Sequence, residues 1–478
     1  MPDLTQTDLT PEIQDQLELF QKGTQHVKLL RAAMAGKGIH AFNRERRLDL
    51  VDTYRTEMPK HSVVKFVPAS GAATRMFGKM YTWVGAPPAN RKEINKFFKE
   101  ITRFAFFEEW ARCAEANGID TYEGGLDSKV KWLKLLLNGD LGYAKMPKGL
   151  IPFHFSEKLE TPVEAHLNEA LLYGNGVGGP EVHFTINKNF EPQFQAMVDT
   201  FNAGLTNQEV RATYSYQDSK TDTIAVQTNG DPLTDESGQF VMRPGGHGAL
   251  IHNLNKIEAD VVFIKNVDNT GHPRLMSDTV RSKELIGGTL LDIRRELIAL
   301  NKQVSKGLVD AVTIDQVRDK WNLRVPRDYL KLKEYLRRPV RVCGMVKNEG
   351  EPGGGPFWCL DKFTGESLQI IEQSQVDTSQ MRQEMILNSA THFNPVDLVC
   401  SIRDLDGNKI DLLEFVNHDQ YFISEKSVAD QKIKALEWPG LWNGAMANWI
   451  TVFVEVPSST FNPVKELEDL LRPAHLAG

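Results

Sequence analysis

Short apolar runs alternate along this chain with stretches of helical spacing, and that alternation limits the folds open to it. VVKFV (63–67), EVHFTI (181–186), RATYSYQ (211–217) and DTIAVQ (222–227) read as strands. So do the apolar run of DVVFIKNVDN (261–264), PVRVCGMV (339–346), FWCLD (357–361) and THFNPVDLVCSI (391–402). Each is short, rich in β-branched or aromatic residues, and bounded by polar or Gly/Pro-containing segments. Between them, 11–56 reads as helical, with Leu17, Phe20, Val27 and Leu30 as its apolar positions. The stretches 89–138 and 282–303 are helical by the same criterion, and the Phe-rich face of the former reads as core. Strands alternating with helices predict an α/β sheet with ligand-binding loops at its strand ends.

Composition narrows the function classes. The chain has 478 residues, 41% hydrophobic and 25% charged, which suits a large globular core. A formal net charge of -7 argues against nucleic-acid binding through bulk charge. The polar, acidic start MPDLTQTDLTPEIQDQ is no leader, and no apolar run reaches the ~20 residues of a membrane span, so a cytoplasmic protein without a membrane partner is expected. The four cysteines form no CxxC pair, and the twelve histidines show no zinc-ligand spacing.

Five stretches carry chemistry-bearing residues, and each also has a plain structural reading. VVKFVPASGAATRMFGKM (63–80) is a strand that breaks into a small-residue loop before a helix-compatible tail. Such a loop lets backbone N–H groups approach an anion, and Arg75 adds charge; it lacks the P-loop spacing and equally describes a tight turn. KMPKGLIPFH (145–154) sets Lys148 at the edge of an apolar run, where a lysine is ordinarily solvated. The loop Gly245-Gly246-His247-Gly248 offers an unobstructed backbone to a flat ligand. Asp268 follows an apolar strand, where a carboxylate reaches a divalent metal or simply closes a turn. In SSTFNPVKELEDLL (458–471), Lys465 precedes what reads as an acidic amphipathic helix.

The order of these motifs resembles that of the UDP-sugar and UDP-N-acetylhexosamine pyrophosphorylases, over residues 63–475. The chain as a whole also resembles a bacterial family known only as a domain of unknown function. The pyrophosphorylase signature loop Gly-x-Gly-Thr-x-Met/Leu reads here Gly71-Ala72-Ala73-Thr74-Arg75-Met76. Its Pro-Lys matches Pro147-Lys148, which requires a helical insertion to loop out and return. The resemblance implies that Ser70, Gly71, Ala72, Ala73 and Thr74 hold the nucleotide's phosphates, and that Gly245, Gly246, His247 and Gly248 contact a uracil. It implies Glu372 (in GESLQIIEQSQVD) and Asn394 at the sugar, Asp268 on Mg²⁺, and Arg75, Lys148 and Lys465 as catalytic cations.

The implied fold is a nucleotide-diphospho-sugar transferase (GT-A-like) α/β core, a mixed, mainly parallel sheet flanked by helices. Its expected divisions are an N-terminal helical region (1–60), a nucleotide-binding core (61–338, with a helical insertion at about 81–144) and a sugar-phosphate side (339–478). The implied activity is that of an enzyme transferring a uridylyl or other nucleotidyl group from a nucleoside triphosphate, UTP by the 245–248 loop, to a sugar 1-phosphate. Two alternatives stay open: a transferase of the same fold with a glycosyl or other acceptor, and a non-catalytic nucleotide-sugar binder.

Overall fold

A computed structural model describes residues 10–350, 353–428 and 431–477. The chain is mixed α/β, and its contacts divide it into two units, each gathered from three separate segments. The first comprises 1–54, 217–262 and 286–455; the second comprises 55–216, 263–285 and 456–478.

In the second unit, three strands pair in parallel. Val63–Pro68 lies against Glu181–Thr185 (Lys65↔Val182), which lies against Arg211–Ser215 (Val182↔Ala212). Parallel strands buried on both faces read as continuous apolar runs, which is why VVKFV does not alternate. The helices Pro162–Tyr173 and Glu191–Ala203 cover them through Val163, Leu167, Phe194 and Val198. Pro162 at the first helical position and a Thr161/Glu164 capping box fix where the former begins. Four helices, Gly78–Gly85, Arg91–Phe98, Phe107–Ala116 and Leu126–Asn138, form the insertion, and its Phe-rich face is core: Phe97, Phe98, Phe104, Phe106 and Trp110 are buried together.

In the first unit, Val340–Lys347 runs parallel to Ile450–Glu455 (Val340↔Ile450), which runs parallel to Gly38–His40. Asp397–Ser401 joins Val340–Lys347 antiparallel. Two further sheets are antiparallel: Leu29–Ala32 with Gly355–Asp361 and Gly365–Ile371, and Met242–Arg243 with Thr223–Gln227, Gln431–Glu437 and Phe422–Val428.

Three local expectations fail. Residues 11–56 are not all helix. Helices span Pro11–Lys22 and Arg44–Glu57, but three short strands lie between them, because Gly23, Gly36 and Gly38 take positive φ and stop helical propagation. Val27 and Leu29 are buried instead against Phe357 and Cys359 of the neighbouring strand. THFNPVDLVCSI is broken into His392–Phe393 and Asp397–Ser401, with Val396 between them at φ 53°. After Lys465 there is no amphipathic α-helix, only a tight turn of 3-10 type at Leu467–Leu471.

Candidate active site

In the second unit the Val63–Pro68 strand delivers the small-residue loop. Ala69 N–H donates to Thr185 C=O (2.8 Å), extending the sheet by one residue before the chain turns. Ala73 N–H donates to Met146 C=O (2.9 Å) and Lys148 N–H to Gly71 C=O (3.4 Å), so Ala72 and Pro147 form an antiparallel bridge. The helical insertion therefore leaves and returns at one point, and the Pro-Lys motif lies beside the loop despite its distance in sequence. Among the described residues the N–H groups of Ser70, Gly71 and Ala72 donate to no protein acceptor. A Cβ on Gly71 would meet nothing within 4 Å, so internal packing does not demand a glycine there. Ala73 is different: its side chain is buried in the insertion core and its N–H is committed to Met146. Thr74 Oγ1 donates to Ala144 C=O (3.3 Å), and the Arg75 side chain is exposed.

Lys148 and Asp268 meet. Lys148 Nζ donates to Asp268 Oδ2 (2.8 Å) and to Val464 C=O (2.7 Å). Val464 N–H returns a bond to Asp268 C=O (3.0 Å), and Asn462 N–H donates to Asn269 Oδ1 (2.8 Å). Residues 462–464 thus lie alongside 268–269. Lys465 follows directly, its backbone N–H held by Asp469 Oδ2 (2.8 Å) and its side chain exposed. Val267 N–H donates to Pro68 C=O (3.3 Å), which ties the exit toward Asp268 to the exit of the loop. Among the described residues no group of three or more His, Cys, Asp or Glu is arranged to hold a metal ion. Asp268 Oδ1 makes no hydrogen bond among them, so one carboxylate oxygen remains for a cation that takes its other ligands from phosphates and water.

Beneath these exits lies a cluster that motif reading missed. Lys65 and Lys265 are both buried, and their Nζ atoms each stand 2.7 Å from an oxygen of Glu169. Lys65 also donates to His166 C=O (3.0 Å), and Tyr173 hydroxyl to Glu169 (2.9 Å). Burial pushes the Lys65 ammonium down to about 7 against the pull of Glu169. Burial alone would raise Glu169, but Lys265 and Lys65 hold it well below the usual carboxylate range. His166 Nε2 lies 3.2 Å from Val267 C=O, one residue before Asp268. The sequence signal was a lysine inside each apolar run, VVKFV and VVFIK.

The first unit holds the remaining candidates. The His247 ring stacks on Trp442 (centroids 4.6 Å apart, 16° between planes) and leaves no room for a side chain at Gly440. Gly245 and Gly248 press on Thr221 and Trp438, where a Cβ would overlap backbone atoms. Burial lowers the His247 pKa, with Glu372 and Glu437 opposing that shift. A cavity of about 400 Å³ adjoins this loop, lined in part by Thr221, Gly248, His252 and Trp438. Glu372 caps the turn Gln373–Gln375. Asn394 is buried, with Oδ1 accepting from Val396 N–H (3.1 Å), a local bond that accompanies the positive φ of a β-branched residue. In LEWPGLWNGAMANW, Leu441, Ala445, Met446 and Trp449 are core, while Trp442 faces His247.

Comparison with known proteins agrees with both resemblances. Solved structures similar to this chain include the uridine diphosphate N-acetylglucosamine pyrophosphorylase from Trypanosoma brucei in complex with inhibitor (TM-score 0.50, 12% identity, covering 96% of this chain and 74% of that one). They also include a putative UDP-N-acetylglucosamine pyrophosphorylase from Entamoeba histolytica (0.43, 12%, 88% and 79%) and the UDP-glucose pyrophosphorylase from Leishmania major (0.41, 12%, 96% and 73%). At these identities the first likeness shows a shared fold. No curated protein sequence matches significantly, and among the described residues no helix is long and apolar enough to cross a membrane. A family model described as a domain of unknown function (DUF4301) matches residues 3–476, and the chain belongs to that family.

Proposed function

We propose that the chain is a sugar-1-phosphate nucleotidyltransferase of GT-A-like fold, transferring a nucleotidyl group from a nucleoside triphosphate, UTP foremost, with release of pyrophosphate. One observation carries the reading: the loop at 70–72, Lys148, Asp268 and the 462–465 segment, far apart in sequence, converge in one unit through the Ala72–Pro147 bridge and the Lys148–Asp268 ion pair.

In this reading the phosphate of the sugar 1-phosphate attacks the α-phosphorus in line. The nucleophile is already an anion, so no general base is required; the obstacle is repulsion between anions and charge on the leaving group. Ser70, Gly71 and Ala72 offer free N–H donors to phosphate oxygens. Lys148 supplies a positive charge fixed by two partners, and Arg75 and Lys465 supply exposed ones. Asp268 would hold Mg²⁺, which when bound neutralises charge on the transferring and leaving phosphates.

The test is Mg²⁺-dependent pyrophosphate release from UTP, CTP, GTP, ATP and dTTP with a panel of sugar 1-phosphates, with Asp268→Ala and Lys148→Ala as controls. Release that needs both substrates and disappears in both variants is the expected result. No release from any pair, in protein that still binds a uridine nucleotide, refutes the reading.

A further inference from the structure

The second unit holds a line of buried polar groups that the proposed chemistry does not use. It begins on a short hairpin, His154–Phe155 paired antiparallel with Leu159–Glu160, where His154 and Glu160 stand opposite each other. Glu160 Oε1 accepts from Asn168 Nδ2 (2.8 Å), and Glu160 Oε2 lies 3.3 Å from His154 Nδ1. His154 Nε2 lies 2.9 Å from His475 Nδ1, 321 positions away in sequence. The segment that carries His475 is tied down. His272 N–H donates to Ala474 C=O (2.8 Å), and the Arg274 guanidinium donates to Pro473 C=O (2.5 Å) and Leu476 C=O (3.2 Å). His154, Glu160 and His475 are all buried.

The carboxylate at one end places the protons along this line. An ionised carboxylate only accepts, so His154 donates to it from Nδ1 and keeps a lone pair on Nε2. His475 then donates to that lone pair from its own Nδ1, and its remaining lone pair is on Nε2. Burial, with His154 and Arg472 nearby, pushes the His475 pKa down to about 3, which keeps the ring neutral. His475 Nε2 makes no hydrogen bond among the described residues. Nor is it walled off: the histidine nitrogens buried without a partner are His166 Nδ1 and His247 Nδ1.

His475 lines a cavity of about 400 Å³, a size within the range of small-molecule sites. Much of the lining is apolar: Phe104 and Phe107 from the insertion, Phe155 and Leu159 from the hairpin, and Leu476. The Phe107 ring is braced by Trp132 (centroids 6.4 Å apart, 18° between planes) and by the edge of Tyr122 (5.5 Å). Phe155 and Leu159 are cross-strand partners, and Phe155 is 54% exposed. The charged lining groups balance, Glu108 and Glu109 against Arg103 and Arg112. Arg103 is paired with Glu100 (2.6 Å), Glu109 accepts from the Tyr143 hydroxyl (2.8 Å), and Glu108 and Arg112 are exposed, as is Thr102. The lining thus favours neither an anion nor a cation. It offers aromatic faces and one oriented, neutral acceptor, which suits an uncharged planar molecule with a donor to give.

We propose that this cavity binds a small neutral aromatic molecule bearing an O–H or N–H donor, its ring among Phe104, Phe107 and Phe155 and its donor on His475 Nε2. The chain Glu160–His154–His475 holds that acceptor in one tautomer. The cavity shares no residue with the loop at 70–76, Lys148, Asp268 or Lys465, so the proposal does not depend on the nucleotidyl-transfer reading.

The test uses the full chain and two matched pairs of probes, phenol with anisole and indole with 1-methylindole. The second member of each pair keeps the ring and lacks the donor. Affinities are read by calorimetry and saturation-transfer NMR. Wild type is expected to bind phenol and indole about fivefold more tightly than their partners, as one net hydrogen bond gives. That preference is expected to persist in Lys148→Gln and to vanish in His475→Phe. Equal affinity within both pairs in wild type overturns the proposal, as does no binding at all, or a preference that survives in His475→Phe or is lost in Lys148→Gln. Crystals of the wild-type chain soaked in 4-bromophenol read the site without any variant. An anomalous bromine peak in the cavity beside His475 supports the proposal, and peaks only elsewhere overturn it.

Discussion

Replacing Glu169 by Gln isolates the buried cluster beneath the candidate site. The variant keeps shape and volume but removes the carboxylate that Lys65 and Lys265 share, each 2.7 Å away. Coulomb's law at an effective dielectric of about 20 gives roughly 6 kcal/mol of attraction for each pair, much of it offset by mutual repulsion and desolvation. The net loss has a ceiling, because a lysine can shed its proton. Doing so at neutral pH forfeits about 5 kcal/mol relative to an unfolded-chain pKa near 10.4. A cost of about 3–5 kcal/mol is therefore expected, as for other buried pairs broken on one side. In a unit of roughly 200 residues that lowers Tm by roughly 6–20 °C. Once neutral, Lys65 in the folded variant binds fewer protons than it does in the unfolded chain up to about pH 10.4, so stability climbs with pH in that window. The penalty is thus largest on the acid side of the wild-type Lys65 transition at about 7, and it shrinks above it. Guanidinium unfolding at about pH 6 and about pH 9 measures both effects, and the triple variant Lys65→Met, Glu169→Leu, Lys265→Met is expected to match or exceed wild type. A loss below about 1 kcal/mol in Glu169→Gln, or one independent of pH, refutes the reasoning.

Three further outcomes follow from the geometry. Gly71→Ala adds a methyl where nothing lies within 4 Å, so the unfolding midpoint stays within about 0.5 kcal/mol of wild type, while calorimetry records weaker nucleoside triphosphate binding under the proposed function. Gly440→Ala drives a methyl into the His247 ring and unstacks it from Trp442, costing about 1–3 kcal/mol in urea unfolding and changing tryptophan fluorescence. Burial pushes His475 down to about 3, so it stays neutral in the fold where the unfolded chain would protonate. Stability is lost as pH falls from about 6.5 toward 3, by at most about 1.4 kcal/mol per unit from this group, and His475→Phe flattens the slope.

The sheet strands were legible because each satisfies a local rule: VVKFV and VVFIK are short runs rich in β-branched and aromatic residues, and both form strands in the structure. The strands at 29–40 were not, since Leu17, Phe20, Val27 and Leu30 happen to fall near helical intervals and the deciding fact is non-local, the pairing of Leu29 with Cys359. The meeting of Lys148 with Asp268 could be expected only from a resemblance, because nothing within 145–154 or 260–269 encodes a contact across 120 positions. The capping of a turn by Glu372, and the burial of Ala73 in the insertion core, depend on tertiary neighbours that no short window contains.

Lys148 also has a history within each newly made molecule. Its carbonyl partner, Val464, lies 316 residues further along the chain. At about 5–20 residues per second, a ribosome needs roughly 15–60 s to travel between them. For the first 120 residues of that interval the ammonium has only water, and after that Asp268 alone, because the strip at 462–464 does not yet exist. Under the proposed function, the finished phosphate site is thus one of the last things a nascent chain acquires, well after the loop that begins it has been translated.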